Sequence, residues 1–321
     1  MTAKTNCAIC GKSDARFLWK GVDYFYQLPG EFDLRKCLAC GLIFIDPPPP
    51  EDVLSKYYPK DYYSYETGGL DASQAPTSKT AYYFRHPLKA LNALFYSKIL
   101  RQNVNLDVSP GSSVLDIGCG DGRYLRGQKN EGCRVFGVDL SSEALARLKN
   151  HLPDANVYCG HVWDAGFAEA SFDLIRLDNV MEHITDIAKL TAELRRLVHP
   201  NGRILIRVPN SDSLTFLLFA RRWIHLDTPR HVYVFSKKNL RKFLDGYGFS
   251  IESHRTLENS FSVLGSLIYL YNSIFLQHLR IDKTRFFWDS ELLKILLFPY
   301  TFFTNFFQKG DVVEFILKKE S

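Results

Sequence analysis

The stretch Val114-Leu-Asp-Ile-Gly-Cys-Gly-Asp-Gly122 is a short apolar run that ends in three glycines, at positions 118, 120 and 122. Glycines there let the backbone turn tightly and approach a ligand closely. Such a turn alone is weak evidence, because nucleotide-binding folds of several classes use one. One acid, Asp116, precedes the turn, and a second, Asp139, ends the next apolar run, Arg134–Val138. An acid there can hydrogen-bond both ribose hydroxyls, so the pattern favours a ligand with a ribose and no pyrophosphate.

From residue 113 onward, apolar runs typical of strands alternate with helical patterns. The strand candidates are Val114–Ile117, Arg134–Val138, Val157–Tyr158, Leu174–Leu177, Arg203–Val208, Phe249–Leu257 and Asp311–Lys318. Helices are predicted over Arg123–Asn130, after an N-cap at Ser141, over Ile187–Val198 and over Leu240–Tyr247. This alternation predicts an α/β fold, with a parallel sheet and helices on both of its faces.

The composition indicates a folded globular protein. The chain has 321 residues, of which 46 % are hydrophobic and 23 % charged, so one large domain with small additions is expected. The formal charge of +5 permits an acidic partner but demands none. The first twenty residues lack the apolar region of a signal peptide, which favours a reducing, cytoplasmic setting.

Four of the seven cysteines form two C-x-x-C-G motifs, Cys7/Cys10 and Cys37/Cys40. Each motif directs two thiolates toward one point, and two such motifs complete a tetrahedral zinc site. Because all four positions are filled, the zinc would be structural. A redox dithiol and an iron–sulfur cluster are the alternatives. The other three cysteines (Cys119, Cys133 and Cys159) are expected to be small buried apolar residues.

Four more segments accompany VLDIGCGDG (114–122): VFGVDLS (135–141), FDLIRLDNVMEHI (172–184), LVHPNGRILIRVPN (197–210) and WIHLDTPRHVYVFSKKNLRKFLDGYGF (223–249). Together they make the chain resemble the class I S-adenosylmethionine methyltransferases over nearly its whole length, with an apolar insertion as the least matched part. The last segment resembles small-molecule members that carry an N-terminal cysteine-rich module and often act on sugars and cell-surface glycans. The resemblance implies a Rossmann-like seven-stranded sheet in which only the last strand is antiparallel. A small zinc-ribbon-like module would precede it, and a helical insertion would precede the last strand.

The resemblance implies S-adenosyl-L-methionine as cofactor and suggests its contacts. Asp116 and the glycine turn would hold the amino-acid part, and Asp139 the ribose. Relatives place an acid or amide near the adenine after the third strand, where this chain offers His161, Val162 or Asp164. The cofactor-binding candidates are Asp116, Gly118, Cys119, Gly120, Gly122, Asp139, Leu140, Asp164 and Asp178.

Methyl transfer is an in-line displacement, so the enzyme must position the acceptor and, for a hydroxyl or carbon acid, remove a proton. Glu182-His183 follows the fourth predicted strand, and Arg230-His231 follows the fifth. We expect His231 or His183 to be the base, with Glu182 beside it and Arg230 binding an anionic group such as a sugar-linked phosphate. A histidine that only caps a loop or satisfies a buried carbonyl is the structural alternative. Tyr62 and Tyr63 would cover the site or pack in the core.

The chain is expected to divide into a zinc module (1–50), a tyrosine-rich linker with a helical cap (51–110), the cofactor-binding domain (111–258 and 310–321) and an apolar helical insertion (259–309). Two apolar stretches in the insertion, 261–276 and 292–307, are shorter than the ~20 residues that span a bilayer. They would pack against the domain or lie in a membrane interface. Basic residues of a helix predicted over 82–101 would assist that contact (Arg85, Lys89, Lys98 and Arg101).

The sequence therefore favours methylation of a small molecule in the cytoplasm, with peripheral contact at the inner face of the membrane. The acceptor would be a sugar or a glycan or glycolipid precursor, nucleotide- or lipid-linked. Alternatives are a quinone or lipid O-methyltransferase, and an RNA methyltransferase whose zinc module binds nucleic acid. Residues 1–50 carry six basic residues against five acids and no nucleic-acid motif, so no nucleic-acid partner is expected. A non-catalytic binding protein would show a damaged glycine turn, and this turn is intact.

Overall fold

The computed structural model describes residues 6–59, 87–89, 91, 106, 108–275 and 290–320. The expected cover by Tyr62 and Tyr63 lies outside these residues, as do Arg85, Lys98 and Arg101. Within the helix predicted over 82–101, residues 87–89 and 91 are helical.

The strands of the described residues form two sheets. They are β1 (Ala15–Gly21), β2 (Phe32–Cys37), β3 (Ile43–Ile45), β4 (Ser113–Ile117), β5 (Arg134–Asp139), β6 (Asn156–Cys159), β7 (Phe172–Asp178), β8 (Val198–Pro209), β9 (Tyr233–Val234), β10 (Phe249–Leu257) and β11 (Val312–Lys319).

The helices connect or cover these strands. They are α1 (Glu51–Leu54), α2 (Arg123–Asn130), α3 (Ser142–His151), α4 (Ile187–Leu197), α5 (Leu214–Phe219), α6 (Lys237–Gly246), α7 (Ser260–Phe275) and α8 (Glu291–Phe306). Short 3-10 turns occupy Ser55–Tyr57, Val162–Asp164, Met181–His183, Ala220–Arg222 and Ile224–Leu226.

The large sheet has the strand order β10-β11-β8-β7-β4-β5-β6. Strand β11 runs antiparallel to both of its neighbours, and the pairs from β8 to β6 are parallel. The prediction of a seven-stranded sheet with only the last strand reversed is therefore confirmed. Every residue of β4 is buried, as expected of a parallel strand covered on both faces.

Two apolar layers cover the faces of this sheet. On one face Leu115 and Ile117 of β4 pack with α4 and α6. On the other, Val114 packs with Leu125 of α2 and Leu148 of α3. Because the carboxyl ends of parallel strands meet at one edge, the turns after β4, β5, β7 and β8 all lie along that edge, where such sheets bind their ligands.

The small sheet belongs to the N-terminal module but contains one strand from the large domain. Its order is β1-β2-β3-β9, and β9 pairs antiparallel with β3, with Val234 opposite Ile43. The division expected at residue 50 thus does not separate the two sheets in space. The loop that precedes β9, residues 223–232, contacts both domains: Arg230 donates to Asp23 of the module, and the amide of Val232 donates to the carbonyl of Glu182.

The apolar insertion contributes two helices of 16 residues each, α7 and α8. Among the described residues, no helix is both long and apolar enough to cross a bilayer. Of the three cysteines expected in the core, Cys119 and Cys133 are buried, but Cys159 is exposed. That expectation was wrong for Cys159 because β6 is the edge strand of the sheet, and both of its end residues face solvent.

Candidate active site and metal centre

The glycine turn after β4 is closed by its own amides. The amides of Gly118 and Cys119 donate to the carbonyl of Val138 at 2.7 and 3.2 Å. Gly118 has a φ of +73°, and a Cβ atom there would lie 2.4 Å from Cγ2 of Val180. The turn therefore requires glycine at position 118, both for its positive φ and for the close approach of Val180. The Cys119 side chain is buried, so only its backbone faces the turn.

Asp139 ends β5 with its carboxylate held by two amides. Oδ2 accepts from the amide of Gly120 and Oδ1 from the amide of Ser141, both at 2.8 Å. Burial raises the pKa of Asp139. Each carboxylate oxygen has a further lone pair, so the group can still accept from a ribose diol. Leu140 follows with 61 % of its surface exposed, an apolar surface beside that position.

Arg176 on β7 joins the two other acids of the cofactor region. Its Nη1 donates to Oδ1 of Asp116 at 2.9 Å, its Nη2 pairs with Asp178, and its guanidinium lies over the ring of Tyr124. Asp116 is 1 % exposed, and burial raises its pKa to about 6. Asp178 also accepts from Arg207 at 2.9 Å. Both acids are therefore fixed beneath the turn by arginines.

The segment after β6 holds the three residues expected near the adenine. Val162 is 2 % exposed and packs in the core, whereas Asp164 is exposed. His161 stacks on Trp163 with ring centroids 4.4 Å apart, and its Nε2 lies 3.3 Å from Oε1 of Glu51. Of the three expected candidates, His161 and Asp164 thus remain accessible.

His183 and His231 meet at the carboxyl edge of the sheet. Their ring centroids lie 4.6 Å apart and the rings are nearly perpendicular, at 74°. Nδ1 of His183 is 3.0 Å from the carbonyl of Arg230, and Nδ1 of His231 is 2.7 Å from the carbonyl of His225. A carbonyl only accepts, so each Nδ1 carries the proton and each Nε2 has the free lone pair.

Burial keeps both rings neutral at physiological pH. It lowers the pKa of His183 to about 4 and that of His231 to about 3. Glu182 is fully buried, and neither of its carboxylate oxygens has a hydrogen-bond partner among the described residues. Burial raises its pKa well above the ordinary value, and its Oε1 lies 3.9 Å from Nε2 of His231. The arrangement can accept a proton at a neutral imidazole.

Arg230 is a buried structural residue. Its guanidinium donates two hydrogen bonds to Asp227, from Nε at 2.9 Å and from Nη2 at 2.6 Å. It donates two more to Asp23, from Nη2 at 2.7 Å and from Nη1 at 3.2 Å. The fifth runs from Nη1 to the carbonyl of Tyr57 at 2.9 Å. These contacts use every N–H of the guanidinium, and the residue is 0 % exposed. The expectation that Arg230 binds an anionic group was therefore wrong.

The sequence analysis missed three residues of the site, Asp23, Tyr58 and Asp227. Oδ2 of Asp227 lies 4.0 Å from Nε2 of His231, and its φ of +32° is unusual for a non-glycine residue. The hydroxyl of Tyr58 lies 3.0 Å from Nδ1 of His183. Asp227 could have been found from its spacing to Arg230 and His231. Asp23 and Tyr58 are far away in sequence and leave no local signal.

The four cysteines of the two C-x-x-C-G motifs lie together, as predicted. Sγ of Cys7 is 3.5 Å from that of Cys40, the same distance separates Cys10 from Cys37, and all four sulfurs lie within 4.8 Å of one another. A tetrahedral zinc ion with Zn–S bonds of about 2.3 Å needs sulfurs about 3.8 Å apart. The donor set and its spacing fit zinc and leave no open position for water.

A family model described as a methyltransferase domain matches residues 84–254, just over half of the chain. The chain belongs to this methyltransferase family. The match, together with the sheet order and the glycine turn, confirms the prediction of a class I S-adenosylmethionine-dependent methyltransferase.

Among curated proteins, the methyltransferase is 36 % identical over 116 residues to an uncharacterized 37.1 kDa protein in transposon TN4556 of Streptomyces fradiae, covering 34 % of each chain. It is 28 % identical over 195 residues to a ubiquinone biosynthesis O-methyltransferase of Rhodopseudomonas palustris, covering 55 % of this chain and 74 % of that one. It is 34 % identical over 123 residues to a malonyl-[acyl-carrier protein] O-methyltransferase of Erwinia billingiae, covering 38 % and 48 %.

The chain thus spans about a third of the Streptomyces relative and about half of the Erwinia one. Among solved structures, a SAM-dependent methyltransferase from Archaeoglobus fulgidus is 21 % identical with a TM-score of 0.47, covering 74 % of this chain and 100 % of that one.

Proposed function

We propose that this protein transfers the methyl group of S-adenosyl-L-methionine to a small-molecule acceptor, a sugar or a glycan or glycolipid precursor, and that a structural zinc ion holds its N-terminal module. One observation carries the proposal. Two neutral histidines, His183 and His231, lie at the edge of the sheet that holds the glycine turn and Asp139, and neither Nε2 has a hydrogen bond within the part of the chain that the structure describes.

The cofactor would lie across this edge. Asp139 would accept from the ribose hydroxyls, and Leu140 would pack on the adenine, with His161 or Asp164 at its rim. The amino-acid part would lie over the turn at Gly118, where Asp116 contributes negative charge from below. Val180 contacts Gly118 and precedes His183 by three residues, so this end of the cofactor adjoins the histidines.

The sulfonium supplies an activated methyl group, and the side chains here handle the acceptor's proton. His231 or His183 would accept it at Nε2, since backbone carbonyls fix Nδ1–H on both rings. The imidazolium that forms at His231 would be stabilised by the carboxylate of Asp227, 4.0 Å from its Nε2. Each neutral ring is ready to act without first losing a proton.

The apolar insertion supports a lipid-linked acceptor and peripheral contact with the inner face of the membrane. The insertion contacts the loop of residues 223–232, which carries His231. The hydroxyl of Ser262 on α7 lies 2.9 Å from Nε2 of His225, and the hydroxyl of Ser266 accepts from the amide of Ile224 at 3.1 Å. Three neighbouring helices (α5, α7 and α8) expose large apolar side chains: Leu217, Leu218, Leu267, Ile274, Phe275, Leu292, Leu296, Phe302, Phe303 and Phe306. Exposed apolar groups of this number mark an interaction surface.

A quinone or lipid O-methyltransferase is the second candidate. It is favoured by the same apolar surface and by the similarity to enzymes named for ubiquinone biosynthesis. A quinone precursor would bring its isoprenoid tail to α7 and α8 and its phenolic hydroxyl to the histidines.

The experiment is a methylation assay with methyl-labelled cofactor, comparing nucleotide sugars, lipid-linked sugars and demethylated quinone precursors by mass spectrometry. A sugar product supports the first candidate, and a methylated quinone alone supports the second. His183→Gln or His231→Gln should lower turnover about 100-fold or more while cofactor binding persists. His254→Gln, on β10, is the matched control and should keep full activity. Loss of vesicle binding after Phe302→Asp and Phe306→Asp tests the membrane contact.

A further inference from the structure

The residues at the centre of the candidate site present metal-ligating atoms to one small volume. Glu182, His183 and His231 each offer one ligand atom, and these atoms lie within 4.8 Å of one another. Two imidazoles that share a cation through Nε2, at about 2.1 Å, have ring centroids about 4.5 to 5.5 Å apart. The 4.6 Å separation of His183 and His231 agrees with this geometry.

The hydrogen bonds around the two histidines match those of metal ligands. A ligating histidine usually donates its other ring N–H to a carbonyl or carboxylate, which fixes its tautomer and orientation. Here Nδ1 of His183 faces the carbonyl of Arg230, and Nδ1 of His231 faces the carbonyl of His225. Both Nε2 atoms are therefore unprotonated, and each has a lone pair that can bind a metal ion.

A bound cation would also account for the burial of Glu182, the third ligand. Glu182 is 0 % exposed and both its oxygens lack a hydrogen-bond partner among the described residues. A buried carboxylate without a partner is unfavourable unless a cation or proton accompanies it. Nearby, Asp23 and Asp227 are also buried and share the single guanidinium of Arg230. Arg230 is thus already paired with these two acids, and a bound cation would replace the proton on Glu182 and balance its charge.

We propose that Glu182, His183 and His231 bind a divalent cation of the zinc class, such as Zn²⁺, Co²⁺ or Mn²⁺. Three protein ligands leave a coordination position open, as in catalytic rather than structural sites. The open position would be filled by a hydroxyl oxygen of the acceptor that has a second oxygen beside it. The identity of this acceptor rests on the proposed function. With the cation bound, both Nε2 atoms would be ligands, so neither imidazole would act as the base. The cation would instead lower the pKa of the bound hydroxyl, and its proton would pass to solvent.

The test is a titration of the full chain, with zinc already on its cysteines, with Co²⁺. We expect one cobalt per chain, with visible d–d absorption and without the near-ultraviolet charge-transfer band of cobalt thiolates. His183→Gln, His231→Gln and Glu182→Gln should each weaken this binding about 100-fold, whereas His254→Gln should leave it unchanged. S-adenosylhomocysteine binding, measured on every sample by calorimetry, shows that the variants are folded.

Several results would overturn the proposal. They are a wild-type protein that binds no cobalt, a cobalt–thiolate band that grows with every addition of cobalt, and variants that bind cobalt as tightly as the wild type. If S-adenosylhomocysteine binds while cobalt does not, the metal inference alone fails and the methyltransferase proposal stands. If neither binds, the proposed function itself fails.

Discussion

The hydroxyl of Tyr58 lies 3.0 Å from Nδ1 of His183, and so joins the segment after the N-terminal module to the loop after β7. The neighbouring carbonyl of Tyr57 accepts from Nη1 of Arg230 at 2.9 Å, and Asp23 of the same module binds that guanidinium. The module therefore supports the active-site loops directly, beyond carrying the four cysteines.

Tyr58→Phe removes the hydroxyl contact of His183 but leaves the carbonyl of Arg230 in place. We expect turnover to fall about 3- to 10-fold, the value of one hydrogen bond, with unchanged affinity for S-adenosylhomocysteine. Steady-state kinetics and calorimetry measure the two quantities. Tyr247→Phe, on the far side of the domain, serves as control. Unaltered turnover in Tyr58→Phe would show that the contact plays no part in positioning His183.

Gly118→Ala should damage the cofactor turn. The added methyl would meet Val180 at 2.4 Å, and alanine disfavours a φ of +73°. We expect affinity for S-adenosylhomocysteine to fall about tenfold or more, equivalent to about 1.4 kcal/mol. Gly127→Ala is the matched control, since Gly127 lies within α2 with nothing inside 4 Å of its added Cβ, and it should raise stability by about 0.5–1 kcal/mol. Equal affinities of the two variants would contradict the role of Gly118.

Arg230→Met should destabilise the fold strongly. It leaves Asp23 and Asp227 buried without their shared cation, and removing one partner of a buried ion pair costs about 3–5 kcal/mol. Urea unfolding measures this loss, with Arg241→Met on α6 as a surface control. Adding Asp23→Asn to Arg230→Met should recover part of the stability. A cost below about 1 kcal/mol would mean that the three groups are hydrated rather than buried.

The parts of the fold and site that depend on residues close together in sequence could be predicted. The apolar run into the glycine turn, the acid ending β5 and the two C-x-x-C-G motifs are local patterns, and each is confirmed in the fold. Long-range pairs could not be predicted: Asp23 binds Arg230 across 207 residues, and Val234 of β9 pairs with Ile43 of β3 from the other end of the chain. Arg230 was misassigned because a buried guanidinium with all its donors used looks identical in sequence to one facing an anion.

Glu252 should make a small, pH-dependent contribution to stability. Its hydrogen bonds to Arg203 (2.6 Å) and Lys318 (2.7 Å) lower its pKa from 4.5 to about 2. The folded pKa is depressed, so the contribution is present above pH 4.5 and is lost as the pH falls toward 2. Glu252→Gln should cost about 0.5–1 kcal/mol at pH 7, because the group is largely exposed, and less below pH 4.5. Thermal unfolding of both proteins from pH 7 to about 2 tests this. A difference in stability that widens on acidification would contradict the prediction.

The claim that the edge of the sheet at Asp139 holds an adenosyl group is tested most directly by calorimetric titration with S-adenosylhomocysteine. We expect one site per chain in the wild type, about 10- to 100-fold weaker binding in Asp139→Ala through loss of the ribose hydrogen bonds, and unchanged binding in the surface control Asp154→Ala. No heat of binding in the wild type, or equal affinity in Asp139→Ala, would contradict it.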